Sequence, residues 1–145
     1  RYRSRLISKI MFGAYNKRIK NVRTSNDWLT RDETVVDEYN AGKLTTFLFT
    51  VNGYRGLMNM ILYVRKPRNI ERIPKNLPML MISGLDDPVG EYGKGVYRAY
   101  NSYHGHIDDI DLRLYEDCRH ELCNELNKEE IYEEIYGWIM NHMSK

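Results

Sequence analysis

The segment Leu77-Pro78-Met79-Leu80-Met81-Ile82-Ser83 constrains the fold more than any other, because it is continuously apolar and stops at Gly84. A short apolar run bounded by turn residues reads as a strand buried on both faces, as in a parallel sheet. Pro78 stands at the strand's entrance, where a missing amide does least harm. A helix is predicted from Gly93 to Tyr103, with Val96, Ala99, Tyr100 and Tyr103 inward. Ile110-Asp111-Leu112-Arg113-Leu114-Tyr115 alternates apolar and polar, so it is predicted to bury one face, as an edge strand does. Asn127 to Glu130 forms an Asn-x-x-Glu cap. It opens a terminal helix with Ile131, Ile135, Trp138 and Ile139 on one face. Strand, helix, strand and helix in this order imply a right-handed parallel pairing. Two strands cannot bury their faces alone. The first strand therefore requires a neighbour on its free side, and the working sheet is expected to be larger than this chain supplies.

The first half has a helical period. Leu6, Ile7, Ile10, Met11, Ala14 and Tyr15 are spaced by three and four, which predicts an amphipathic helix from Arg1 to about Lys20. After a polar stretch, Thr30-Arg31-Asp32-Glu33 matches a capping box, in which the threonine caps and the glutamate reaches back. The helix it opens should turn Val35, Val36 and Tyr39 inward and stop at Asn40-Ala41-Gly42. A short apolar patch, Phe47-Leu48-Phe49, precedes a further helix from Tyr54 to Arg65.

Charge divides the chain more sharply than its net value of +2 suggests. Through Arg23 there are eight basic residues and no acidic one, so the remainder, with 14 basic and 20 acidic residues, carries −6. The first segment is thus a distinct electrostatic region. Hydrophobic residues make up 42% of the chain and charged residues 29%, a balance that favours a packed domain over disorder. No apolar run approaches the length of a membrane span, and no secretory pattern opens the sequence. With only Cys118 and Cys123 there is no disulfide framework, so a reducing, cytoplasmic setting is expected. No nucleic-acid partner is expected. The chain begins at Arg1 rather than at a methionine, from which residues upstream are expected, although processing would look the same.

In an open parallel sheet, functional groups gather past the carboxyl ends of the strands. Here the two strand ends run into Gly84-Leu85-Asp86-Asp87-Pro88 and Glu116-Asp117-Cys118-Arg119-His120-Glu121. Adjacent parallel strands would bring the two loops together. A carboxylate beside His120 would fix its tautomer and stabilise the imidazolium formed in catalysis, which is the acid–base half of a serine-hydrolase relay.

These residues carry a resemblance. Leu80-Met81-Ile82-Ser83-Gly84-Leu85-Asp86-Asp87-Pro88-Val89 resembles the acid loop of α/β-hydrolases, in which the catalytic aspartate follows the strand's closing glycine by three positions. Arg119-His120-Glu121, after a strand and before a terminal helix, is similar to the histidine loop of the same superfamily. The order Asp then His fits the superfamily's Ser…Asp…His. The branch most resembled holds serine aminopeptidase-like proteins, monoacylglycerol lipases and lysophospholipases. The resemblance implies an α/β fold, the C-terminal portion of an α/β-hydrolase. Residues 1–70 would be a helical cap and 71–145 the βαβα part of the core. It implies Asp87 and His120 as catalytic residues, an ester of lipid-like or small acyl type as substrate, and no cofactor. The family's nucleophile lies in Gly-x-Ser-x-Gly at a strand-to-helix elbow. That pentapeptide is absent here, where the serines are Ser4, Ser8, Ser25, Ser83, Ser102 and Ser144. The missing N-terminal half, in cis or in trans, is therefore an implied partner, and the chain alone is expected to be inactive.

Plainer readings stand beside these. Asp87 before Pro88 suits a simple turn, and Asp86 would serve equally well there. His120 could be a surface histidine. Ser83 lacks the glycine elbow of a nucleophile. Cys118, His120 and Cys123, with His104 and His106, have spacings that match no standard zinc framework, so no metal is expected. Buried, inert thiols are the commoner case for such cysteines. Phe47, Phe49, Leu57, Met58 and Met60 would line an acyl pocket under the cap, and core packing explains them equally well. The basic N-terminal helix is either a solvated face or a surface that meets anionic lipid. Sedimentation with anionic vesicles at low salt separates the two, since absence of binding removes the second.

Overall fold

The computed structural model describes residues 2–143. Arg1, the start of the expected first helix, and Ser144 lie outside the described residues. Two strands, β1 (Met79–Gly84) and β2 (Ile110–Tyr115), pair in parallel, with Met79 opposite Ile110 and Gly84 opposite Tyr115. Among the described residues six α-helices accompany them: α1 (Arg5–Phe12), α2 (Glu33–Ala41), α3 (Val51–Val64), α4 (Pro67–Ile70), α5 (Lys94–His104) and α6 (Lys128–Met143). The order helix-rich first half, then β1-α5-β2-α6, is the α/β arrangement expected from the patterning.

The pleat of the pair explains why β2 alternates. Asp111 accepts from the indole of Trp138, and Arg113 and Tyr115 both bond Glu134, so this face meets α6. Ile110, Leu112 and Leu114 alternate to the other face, on which α5 packs. Beneath the α6 face, Cys118, Leu122 and Ile131 form a buried cluster with Ile82, Tyr115 and Ile135 packed against it.

Several local expectations are corrected. β1 is only half-buried from Met79 to Ile82, because β2 covers a single edge and the described residues supply no further strand. Ile139, expected inward, is 41% exposed, although Trp138 beside it reaches Asp111 of β2. The first helix does not continue to Lys20. Ser4 caps α1, which stops at Gly13, and a short 3-10 turn spans Tyr15–Arg18. The break is tertiary in origin. The Asn16 side chain donates to the Thr24 carbonyl at 2.8 Å and accepts from the Trp28 amide at 2.9 Å, which draws the chain off the helix axis. Leu6 and Ile10 of the predicted apolar stripe are 68% and 72% exposed.

The capping box is also displaced by two residues. Asp32, not Thr30, caps α2 by accepting from the Thr34 and Val35 amides. The Thr30 hydroxyl instead donates to the Asn124 carbonyl at 2.8 Å, 94 residues away. The same oxygen accepts from the Asp32 amide at 3.1 Å, so Thr30 holds the turn before α2 and a distant carbonyl at once. At α6, the Asn127 carbonyl accepts from the Ile131 amide, as a capping residue's does. Its side-chain oxygen accepts from Arg31 at 2.6 Å.

Candidate active site

The site is built where β1 and β2 end side by side. Past Gly84 the chain keeps pairing: the Leu85 amide donates to the Tyr115 carbonyl at 2.8 Å and the Asp86 amide to the Cys118 carbonyl at 2.9 Å. This close approach requires a glycine, since a Cβ at Gly84 would overlap the carbonyls of Cys118 and Arg119. The result is that Asp87 and His120, 33 positions apart in sequence, meet with Oδ2 3.1 Å from Nδ1.

Asp87 is held before it touches the histidine. It is 6% exposed, and its second oxygen, Oδ1, accepts from the Val89 amide at 2.8 Å. Its carbonyl accepts from the Tyr92 amide at 2.8 Å. The exit from this loop is left-handed over three successive residues, with φ of 51° at Glu91, 57° at Tyr92 and 82° at Gly93. Two of these three are not glycine, so the turn carries backbone strain that its surroundings must hold. The Arg18 guanidinium lies 3.7 Å from the Tyr92 ring centroid and is one such restraint. Asp86, the alternative acid, is exposed and contributes its amide to the strand pairing instead.

The His120 side chain is 37% exposed. A carboxylate accepts only, so Nδ1 carries the proton in that bond and the lone pair of the neutral ring is on Nε2. The Asp87 hydrogen bond raises the His120 pKa above the ordinary 6.5; burial opposes it, and the charges of Asp87 and Glu121 add to it. Because the folded value is the higher one, the pair's stabilisation is fully present below pH 6.5 and is lost as pH rises through the folded value. Asp87→Asn is therefore expected to lower the His120 midpoint in histidine NMR titrations. An unchanged midpoint would mean that Asp87 does not hold the imidazolium.

Aromatic rings continue from the histidine into the first half of the chain. Trp28 lies 5.2 Å from His120, Tyr15 4.9 Å from Trp28, and Phe12 5.6 Å from Tyr15. Phe12 is 6.4 Å from Tyr54, Tyr54 5.5 Å from Phe49, and Phe49 5.0 Å from Phe47. Phe12, Trp28, Phe47, Phe49 and Tyr54 also line one cleft of about 760 Å³. Of the five residues expected to form an acyl pocket, Phe47 and Phe49 lie on this cleft, whereas Leu57, Met58 and Met60 do not. Burial, and then the charge of Asp87, raises the Tyr15 phenol pKa, which places Tyr15 in the electrostatic neighbourhood of the pair.

The histidine loop is fastened to residues 27–31. The His120 amide donates to the Trp28 carbonyl and the Glu121 amide to the Leu29 carbonyl, the latter at 2.7 Å. The Arg119 guanidinium donates to the carbonyls of Asp27 and Thr30 at 2.7 and 2.9 Å. Arg31 pairs with the fully buried Glu125 at 2.9 Å. Sequence reasoning missed Trp28, Tyr15, Arg31 and Glu125. The partners of Trp28 and Arg31, His120 and Glu125, lie 92 and 94 residues along the chain, and no local spacing encodes them.

The other candidates do not converge. The Ser83 hydroxyl is buried and bonds the neighbouring Gly84 carbonyl. Cys118 is buried, its thiol pKa raised by burial and by Glu125, while Cys123 is exposed. Among the described residues, no group of three or more His, Cys, Asp or Glu side chains is placed to hold a metal ion. Among the described residues, no helix is long and apolar enough to cross a membrane.

Comparison with known proteins places this chain in a family. Residues 2–127 match the family described as serine aminopeptidase, S33. A highly thermostable carboxyl esterase from Bacillus coagulans, solved in complex with glycerol, is 26% identical with a TM-score of 0.78. The match covers 98% of this chain and 46% of that one. A lipase in its open form is 20% identical with a TM-score of 0.86, covering 100% of this chain and 47% of that one, a likeness of fold. The chain thus spans just under half the length of these two proteins. No curated protein matches it.

Proposed function

Because the chain belongs to the serine aminopeptidase S33 family of α/β-hydrolases, we propose that it supplies the acid and base of a serine hydrolase acting on ester bonds of lipid-like or small acyl substrates. The observation that carries this reading is the Asp87–His120 contact at 3.1 Å, beside an aromatic cleft. The sequence has no Gly-x-Ser-x-Gly, so the nucleophile is assigned to an N-terminal half, joined in cis or in trans. Residues 1–70 act as the cap over the assembled site.

In that assembly His120 Nε2 takes the proton of the serine hydroxyl as its oxygen bonds the ester carbonyl carbon. The same proton then passes to the departing alkoxide, which leaves as the alcohol. Water attacks the acyl-enzyme, giving a proton to His120, and the acid leaves as the serine regains its proton. Asp87 holds the ring and stabilises the imidazolium in each half-reaction without accepting the proton itself. The cleft lined by Phe12, Trp28, Phe47, Phe49 and Tyr54 suits an apolar acyl chain whose carbonyl end lies toward His120. The likeness to a carboxyl esterase favours an ester over a peptide.

A second reading has one observation in its favour. β1 is half-buried with an open edge, and a module that pairs through that edge without catalysis would leave it so. Treatment with a fluorophosphonate probe, followed by intact mass measurement and acyl-chain profiling, separates the two. A labelled companion half, with ester turnover exceeding peptide turnover, is expected. An unlabelled chain with no labelled companion would favour the module, and faster peptide cleavage would overturn the substrate class.

A further inference from the structure

Glu125 is a carboxylate with no exposed surface, in a loop the proposed reaction does not use. Its Oε1 accepts from the Arg119 amide at 2.7 Å, one residue before His120. Its Oε2 accepts from Arg31 Nε at 2.9 Å, and the Arg31 amide approaches both oxygens at 3.3 Å. The Leu126 amide completes the set at 3.4 Å. One buried charge therefore ties together two segments, the residue that leads into His120 and the segment that carries Trp28, the ring against His120.

Stability alone is a poor reason for such a group. Removing two charges from water costs about as much as their attraction returns, and apolar residues of the same volume commonly do as well. What a carboxylate with these donors adds is placement, because each donor fixes the position of a backbone amide or a guanidinium. The Arg119 guanidinium reinforces this from the other side through the Asp27 and Thr30 carbonyls. Arg31 continues past Glu125 to Asn127 at 2.6 Å, which reaches the start of α6. Among the described residues Asp87 is the one hydrogen-bond partner of the His120 ring, with Trp28 packed against it, and the backbone of His120 needs a fixed reference on the β2 side.

We propose that Glu125 is a positioning residue for His120, and that through Arg31 it makes the placement of the base depend on the segment 27–31 being docked. The inference rests on the reading of His120 as the general base. It predicts that segment 27–31 and the Asp87–His120 contact loosen together, not one at a time.

The test uses the double variant Arg31→Met/Glu125→Met in the assembled protein, with Glu125→Gln as a second variant should the first fail to fold. Removing both charges leaves no buried ion unpaired, and the amides of Arg119, Arg31 and Leu126 lose their acceptor, so a moderate loss of stability accompanies the lost placement. Two readouts follow. Histidine NMR is expected to show the His120 midpoint falling toward 6.5. Ester turnover is expected to show kcat falling roughly 10- to 100-fold with KM within about threefold, the signature of a misplaced base. An unchanged His120 titration in either folded variant would overturn the proposal and leave Glu125 a packing residue. The NMR arm does not need catalysis, so an assembled protein without ester turnover would count against the proposed function and not against the positioning role.

Discussion

His120→Ala in the assembled enzyme is expected to lower kcat by roughly 10⁴- to 10⁶-fold while leaving KM nearly unchanged. The argument is geometric. Among the described residues, the imidazole bonded to the buried Asp87 carboxylate is that of His120, and its ring borders the aromatic cleft through Trp28. Without it, no group in the described site takes the serine proton as the carbonyl is attacked, and binding in the cleft survives. Asp87→Asn should cost about as much as 10⁴-fold, since an amide can present a donor to Nδ1 and so favour the wrong tautomer. The double variant is expected to be little worse than the worse single one, because residues that act as a unit do not add. Steady-state ester hydrolysis measures all three. Full activity in His120→Ala would refute the assignment of the base.

Gly84→Ala has the largest expected effect on the fold. The added methyl would enter the carbonyls of Cys118 and Arg119, and these belong to backbone that cannot rotate aside. Relief requires β1 and the histidine loop to separate, which breaks the Leu85–Tyr115 and Asp86–Cys118 hydrogen bonds. A loss of about 3 kcal/mol, the upper part of the range for overpacked sites, is expected. Gly56→Ala and Gly137→Ala are controls, because a methyl at either position meets nothing within 4 Å. In α3 and α6 they should be neutral or stabilise by up to about 1 kcal/mol, as alanine favours the helix. Urea midpoints compare the three; a Gly84→Ala midpoint equal to the controls would show that the loops do not depend on this contact.

The same contact shows what the sequence could and could not reveal. Gly84 closing an apolar run was legible, since it marks where a strand ends and a loop begins. So were both strands, α3, α5 and α6, because their apolar periods are local and survive packing. The pairing of Asp87 with His120 followed from one further step, that parallel neighbours end at the same level. What was illegible depends on partners far along the chain. Asn16 ends the first helix by bonding Thr24 and Trp28, and Asp32 caps α2 while the Thr30 hydroxyl donates to Asn124. Each is a polar side chain bonded to a backbone group outside its own element, a choice that helical periodicity does not encode. Trp28 escaped for a related reason. A lone tryptophan in a polar stretch has no periodicity, and its role appears only when the histidine loop is laid beside it.

The placement of the two tryptophans has an optical consequence. Trp28 lies against His120, and Trp138 stacks on His142 with centroids 4.0 Å apart. These are the only tryptophans in the chain. A protonated imidazole is a cation held near an indole face, where it interacts differently from the neutral ring. The emission of Trp28 should therefore vary with acidity as His120 changes its charge. With Trp138→Phe in place, the remaining emission becomes a dye-free indicator of the charge on His120, usable in a stopped-flow instrument while an ester is being turned over.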